Sequence, residues 1–126
     1  VLLLDTDVLI DVQRNYPPAV KWFGELAELP HVPGFVVMEL LQDANNAQQI
    51  HRALKLVEPL GVIWPSEADC ELALALFRDL HLPRGLGLLD SLIAACALGR
   101  SATLCSFNVK HFRAVPELEL QRPYVK

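Results

Sequence analysis

Short apolar runs alternating with helix-length segments constrain this chain more than any other feature. Residues 1–4 are Val-Leu-Leu-Leu, stopped by Asp5-Thr6-Asp7, and read as a buried strand whose carboxyl end is Asp5. A short helix is expected at 8–13. Tyr16-Pro17-Pro18 breaks it, and Pro18 suits the first turn of a second helix over 18–29. After a break at 30–33, residues 34–37 read as a second strand passing at once into a helix over 38–43. A helix at 47–57 and a third strand at 61–64 follow. Ser66 then caps a helix over 67–80, which carries apolar residues at 68, 72, 73, 76, 77 and 80. A Pro- and Gly-containing loop at 81–87 holds Arg84, and a helix at 88–98 stops at Gly99. Residues 103–105 read as a fourth strand and 118–120 as a fifth, at an edge. This order predicts an α/β domain with a mostly parallel sheet, whose sites lie at the carboxyl ends of strands. Asp5, the turn before Glu39, and residues 106–108 all fall at that edge.

The 126 residues suit one domain spanning 1–126, long enough for a real core without staples. Apolar types at 52% and charged types at 21% exclude a disordered chain. The longest unbroken apolar run, 92–98, is far short of the roughly 20 residues of a membrane span. The opening Val-Leu-Leu-Leu lacks a basic flank and reads as a strand, not as a signal peptide. A net charge of −4 argues against attachment to nucleic acid by bulk positive charge. It leaves nucleic acid open as a substrate, because a bound divalent ion inverts the local field. Cys70, Cys96 and Cys105 show no metal or disulfide spacing and read as reduced packing residues of a cytoplasmic protein.

Three acids stand in apolar company. Asp5 follows Val-Leu-Leu-Leu, and Glu39 lies between Phe-Val-Val-Met and Leu-Leu. Asp90 and the adjacent Ser91 are the only polar side chains over residues 87–98. An unpartnered buried carboxylate costs several kcal/mol, on the order of the price of an isolated charge in a protein interior. A position near a helix start, expected for Glu39 and Asp90, returns only about 0.3–1 kcal/mol. Singly, each is a cap, a turn residue or a snorkelling side chain. Together, at one edge of one sheet, they point to a divalent cation with oxygen ligands. Asp7 is either an outer partner of that cluster or the N-cap of the first helix, and Asp11 and Asp43 read as solvated helix residues. The four histidines lack zinc spacing, and no phosphate-binding glycine motif or GxSxG elbow is present.

Four segments together resemble the PIN-domain family, and within it the VapC-like toxin ribonucleases of type II toxin–antitoxin pairs. They are Leu3-Leu4-Asp5-Thr6-Asp7-Val8-Leu9-Ile10-Asp11, Val37-Met38-Glu39-Leu40, Leu88-Leu89-Asp90-Ser91-Leu92-Ile93-Ala94-Ala95, and Thr103-Leu104-Cys105-Ser106-Phe107-Asn108-Val109-Lys110-His111-Phe112. The resemblance spans nearly the whole chain. It implies a three-layer α/β/α fold on a five-stranded, mostly parallel sheet. It also implies an acidic cluster of Asp5, Glu39 and Asp90, with Asn108 in the fourth place, binding Mg²⁺ or Mn²⁺. The implied reaction is hydrolysis of RNA by a metal-activated water, leaving 5′-phosphate and 3′-hydroxyl ends. Ser106 matches a family Thr or Ser that supports water or phosphate. Asp7 departs from the commoner Asn and restores a fourth carboxylate. A homodimer and a small antitoxin partner are implied in the same way. Arg84, Lys110 and Arg14 are candidates for holding the RNA backbone.

Three other readings compete. Asp5-Thr6-Asp7 after a strand resembles the nucleophile and acid pair of haloacid-dehalogenase-like phosphatases, although position 9 is Leu and the chain has little room for a cap. A receiver domain is disfavoured because the third strand ends Ile63-Trp64-Pro65, with no Asp to phosphorylate. A PIN fold kept only for protein binding is the third reading, and it gives no reason to retain three costly acids.

Overall fold

A computed structural model describes residues 1–126. The strands are β1 (Leu2–Leu4), β2 (His31–Pro33), β3 (Gly61–Ile63), β4 (Thr103–Cys105) and β5 (Glu119–Gln121). They form one sheet in the order β3-β2-β1-β4-β5, and every pairing is parallel. The helices are α1 (Thr6–Gln13), α2 (Pro17–Gly24), α3 (Gly34–Gln42), α4 (Ala47–Val57), α5 (Glu67–Arg84), α6 (Leu88–Gly99) and α7 (Val109–Phe112). Successive side chains of a strand point to opposite faces. Leu3, Leu4, Leu104 and Cys105 are all fully buried, so helices cover both faces of the central strands. No helix is long and apolar enough to cross a membrane.

The strand order positions the site. From β1 the chain first builds outward through β2 and β3, then returns to the other side of β1 as β4. The crevice of such a sheet opens at this reversal, beyond the carboxyl ends of β1 and β4. Asp5 follows the last residue of β1, Ser106 the last residue of β4, and the Asp5 N–H donates to the Cys105 carbonyl at 3.0 Å. Two residues 101 apart in sequence are thereby locked side by side.

Several sequence expectations need correction. Residues 34–37 are the first turn of α3, not a strand, and the strand is His31–Pro33, where a break was expected. Phe35-Val36-Val37-Met38 opens a helix with apolar residues at consecutive positions, so local pattern does not separate it from a buried strand. Pro33, at φ −63° and ψ 140°, is what ends the strand and caps the helix. The second helix stops at Gly24, well before 29. Helix α5 runs through Pro83 to Arg84 and ends on Gly85 in the left-handed conformation at φ 74°, so Arg84 is on a helix and not in a loop. The short helix α7 was not anticipated. Cys96 and Cys105 pack in the interior, whereas Cys70 is exposed. Asp11 is not simply solvated: it accepts the Tyr124 hydroxyl at 2.7 Å and pairs with Lys126 at 3.0 Å.

Candidate metal centre

Asp5 serves two purposes at the end of β1. Its backbone leaves the strand at φ −82° and ψ 165°, and its side chain caps α1, one oxygen accepting the Thr6 N–H at 2.8 Å. The other oxygen accepts the Ser106 hydroxyl at 2.7 Å. The residue is only 7% exposed. Burial, followed by the charges of Asp7 and then Asp90, pushes its carboxyl up to about 7 despite those two hydrogen bonds.

Asp7 is in the first turn of α1 and is not its N-cap, which settles one of the two alternatives open for it. One of its oxygens accepts the Phe107 N–H at 2.9 Å, which ties α1 to the segment after β4. The other oxygen, Oδ1, is buried and has no hydrogen-bond partner. Burial holds this carboxyl above its ordinary value, against the opposing pull of the Phe107 and Val8 amides and Lys126.

Glu39 comes from the second half of α3, too far along for the helix amino terminus expected to help it. Its partner is instead the Thr6 hydroxyl, which donates a hydrogen bond to Oε1. Asp90 is the third residue of α6, as expected. It reaches back to the Gly87 N–H at 3.2 Å, and the Ser91 hydroxyl donates to the Gly87 carbonyl at 2.9 Å. The His111 ring nitrogen Nδ1 lies 3.9 Å from Asp90 Oδ2.

These acids line one cavity of about 430 Å³ together with Asn108, Asp43 and Thr6. Ile10 is its one apolar residue, and no Lys or Arg lines it. The ion pairs of the chain are Arg78–Asp79, His111–Asp90 and Lys126–Asp11, so Asp5, Asp7 and Glu39 make no direct ion pair, Asp7 feels Lys126 only through space, and Asp90 has only an imidazole. Each carboxylate is held by a local hydrogen bond, and no three are drawn to ligating distance of a common point. Closing around an ion would take side-chain rotation. The donor set is oxygen only, which suits a hard divalent cation and not zinc. A buried carboxyl lifted by its neighbours and a buried carboxylate oxygen without a donor are both features a cation would relieve.

Ser106 is fully buried. Its oxygen gives its proton to Asp5 and accepts the Asn108 N–H at 3.0 Å, so it positions Asp5 and is not presented to water or phosphate. Arg84, Lys110 and Arg14 do not line the acidic cavity, although Arg14 borders the neighbouring cleft. Sequence reasoning missed Thr6, Gln42, Asp43 and His111. Asp43 was within reach, because it lies four residues after Glu39, a spacing that shares a helix face. The Thr6 and His111 contacts depend on tertiary placement and left no sequence signal.

The PIN domain family matches residues 2–118. Ribonuclease VapC1 of Haemophilus influenzae (strain R2866) is 28% identical over 132 residues, covering 96% of this chain and 96% of that protein. Among solved structures, a toxin-antitoxin complex from Klebsiella pneumoniae superposes with a TM-score of 0.83 at 24% identity, covering 100% of both chains. VapBC-1 from nontypeable Haemophilus influenzae gives 0.77 at 26% identity, covering 95% of this chain and 96% of that one.

Proposed function

This chain belongs to the PIN domain family, and from that premise we propose that it is a Mg²⁺- or Mn²⁺-dependent endoribonuclease, the toxin of a type II toxin–antitoxin pair. The observation that carries the reading is the convergence of Asp5, Asp7, Glu39 and Asp90, from separate parts of the chain, on a cavity without a basic side chain. The names of the relatives, a ribonuclease and toxin-antitoxin complexes, support the activity and the partner. The whole of 1–126 is taken as one nuclease unit, acting in the cytoplasm, where RNA and a co-encoded antitoxin are met, and as a homodimer.

Asp5, Glu39 and Asp90 would hold the ion, with Asn108 and the free oxygen of Asp7 as further donors. When bound, the ion neutralises the crowded carboxylates, polarises the scissile phosphate and lowers the pKa of a bound water. In the metal-free chain, neighbouring residues hold these carboxylates apart at the cavity wall, and an ion would draw them inward from there. Ser106 and the Thr6 amide fix both oxygens of Asp5, the Thr6 hydroxyl fixes Glu39, and the Gly87 amide fixes Asp90. The phosphatase alternative is disfavoured because the PIN domain family matches residues 2–118 and the curated relative is named a ribonuclease.

The test is incubation of the purified protein with single-stranded RNA and, separately, with a phosphomonoester, each with Mg²⁺ and with EDTA. RNA cleavage that EDTA stops, and that Asp90→Asn lacks, is expected. Phosphomonoester turnover alone, or cleavage by Asp90→Asn at the wild-type rate, would overturn the reading. Expression in cells is expected to arrest growth, and co-expression of the adjacent small partner to relieve it.

A further inference from the structure

Beside the acidic cavity lies a second cleft of about 400 Å³, where the end of α1, the end of α3 and the start of α4 meet. The two share Ile10 and Asp43 as a common wall. Their charge differs. The second cleft is lined by two arginines, Arg14 at the C-cap of α1 and Arg52 on α4. Neither appears among the chain's ion pairs. Asp11, whose charge Arg14 feels through space, is already held by Tyr124 and Lys126. In a chain of net charge −4, two exposed arginines outside the ion pairs line this one cleft against a single carboxylate, Asp43, and that balance favours an anion there. The planar fork of arginine matches phosphate oxygens. Gln49 lines the same cleft, and its side-chain oxygen accepts the Asn45 N–H at 2.7 Å, which orients the carboxamide and leaves its NH₂ free to donate.

We propose that this cleft is a subsite for a flanking nucleotide of single-stranded RNA, with Arg14 and Arg52 on its backbone phosphate and Gln49 toward its sugar or base. The inference rests on the ribonuclease reading and deepens it. Arg14 lines this cleft and not the acidic cavity, and roughly 13 Å of helix α1 at 1.5 Å per residue lies between it and Asp5, which places it toward a flanking phosphate. The subsite therefore contributes to substrate binding and register, and not to the chemical step. An RNA that ends at the acidic cavity gains nothing from it, and a longer one does.

The experiment measures affinity for a short single-stranded RNA against salt concentration, in an Asp90→Asn background that prevents cleavage. Arg14→Ala and Arg52→Ala are each expected to flatten the log–log slope by about 0.7, and the pair by about twice that. Arg52→Lys keeps the charge and is expected to keep the slope. Arg100→Ala removes an exposed charge outside the cleft and is expected to change nothing. In the active protein, the double variant is expected to raise KM for the longer RNA with kcat unchanged, and to leave a dinucleotide unaffected. An unaltered slope in a folded double variant, while the wild type cleaves RNA, would overturn the subsite alone. A wild type that cleaves no RNA with Mg²⁺ or Mn²⁺ would remove the ribonuclease reading, and this inference with it.

Discussion

Asp5 concentrates the tension between folding and function. Its carboxyl is lifted to about 7 from an ordinary 3.8, chiefly by burial. A native state with the higher value binds more protons than the unfolded chain, so this contribution to stability is full below the unfolded value. It is lost as pH rises through 7. The difference of about three units corresponds to something on the order of 4 kcal/mol, and Asp7 shifts in the same direction. The metal-free protein is therefore expected to melt at a higher temperature at pH 5 than at pH 8. Asp5→Asn is expected to flatten that dependence, to raise the melting temperature at pH 8 by a few degrees and to abolish cleavage. Equal pH dependence in wild type and variant would show that Asp5 carries no such strain. The acids themselves were legible in the sequence, because a charge inside an apolar run demands an explanation. Their supports were not: Ser106 reaches Asp5 across 101 residues, and Thr6 reaches Glu39 across 33.

At the scale of elements, the junction of β2 and α3 decides where Glu39 points. Gly34 is buried there, and a Cβ added to it would collide with the indole of Trp64. Gly34→Ala is expected to lower stability by roughly 1–3 kcal/mol, the usual range for overpacking, and to weaken metal binding by displacing α3. An unchanged melting temperature would mean that Trp64, itself half exposed, swings away freely. This junction is also where sequence reasoning failed. The start of α5 and the end of α6 were legible because the Ser66 cap and Gly99 mark them, and β4 because a short apolar stretch there ends at Ser106. The start of α3 was not, since consecutive apolar residues suit a buried helix and a buried strand equally, and only the pairing of His31–Pro33 with β1 and β3 separates them.

The whole molecule is a sheet whose order reverses beside β1, with negative charge gathered at the reversal and arginines at its margin. A ligand that binds only the folded chain stabilises it by mass action, about 2.7 kcal/mol at one hundred times its dissociation constant. Mg²⁺ or Mn²⁺ is thus expected to raise the melting temperature in a concentration-dependent way, and most at pH 8, where the carboxylates repel most strongly. An effect equal in size with K⁺ at matched ionic strength would mean general screening and not a site. The parallel sheet was legible from the order of elements because strands joined through helices run parallel, whereas the order of the strands, with its reversal at β1, left no local signal.

The central claim is that acids from distant segments share one cation. Calorimetric titration of Mn²⁺ into the wild type and into Asp5→Asn, Glu39→Gln and Asp90→Asn tests it most directly. Binding weakened at least about tenfold in each of the three folded variants, the effect of losing some 1.4 kcal/mol, is the expected result. Wild-type affinity in any one of them, or no binding by the wild type, would contradict it.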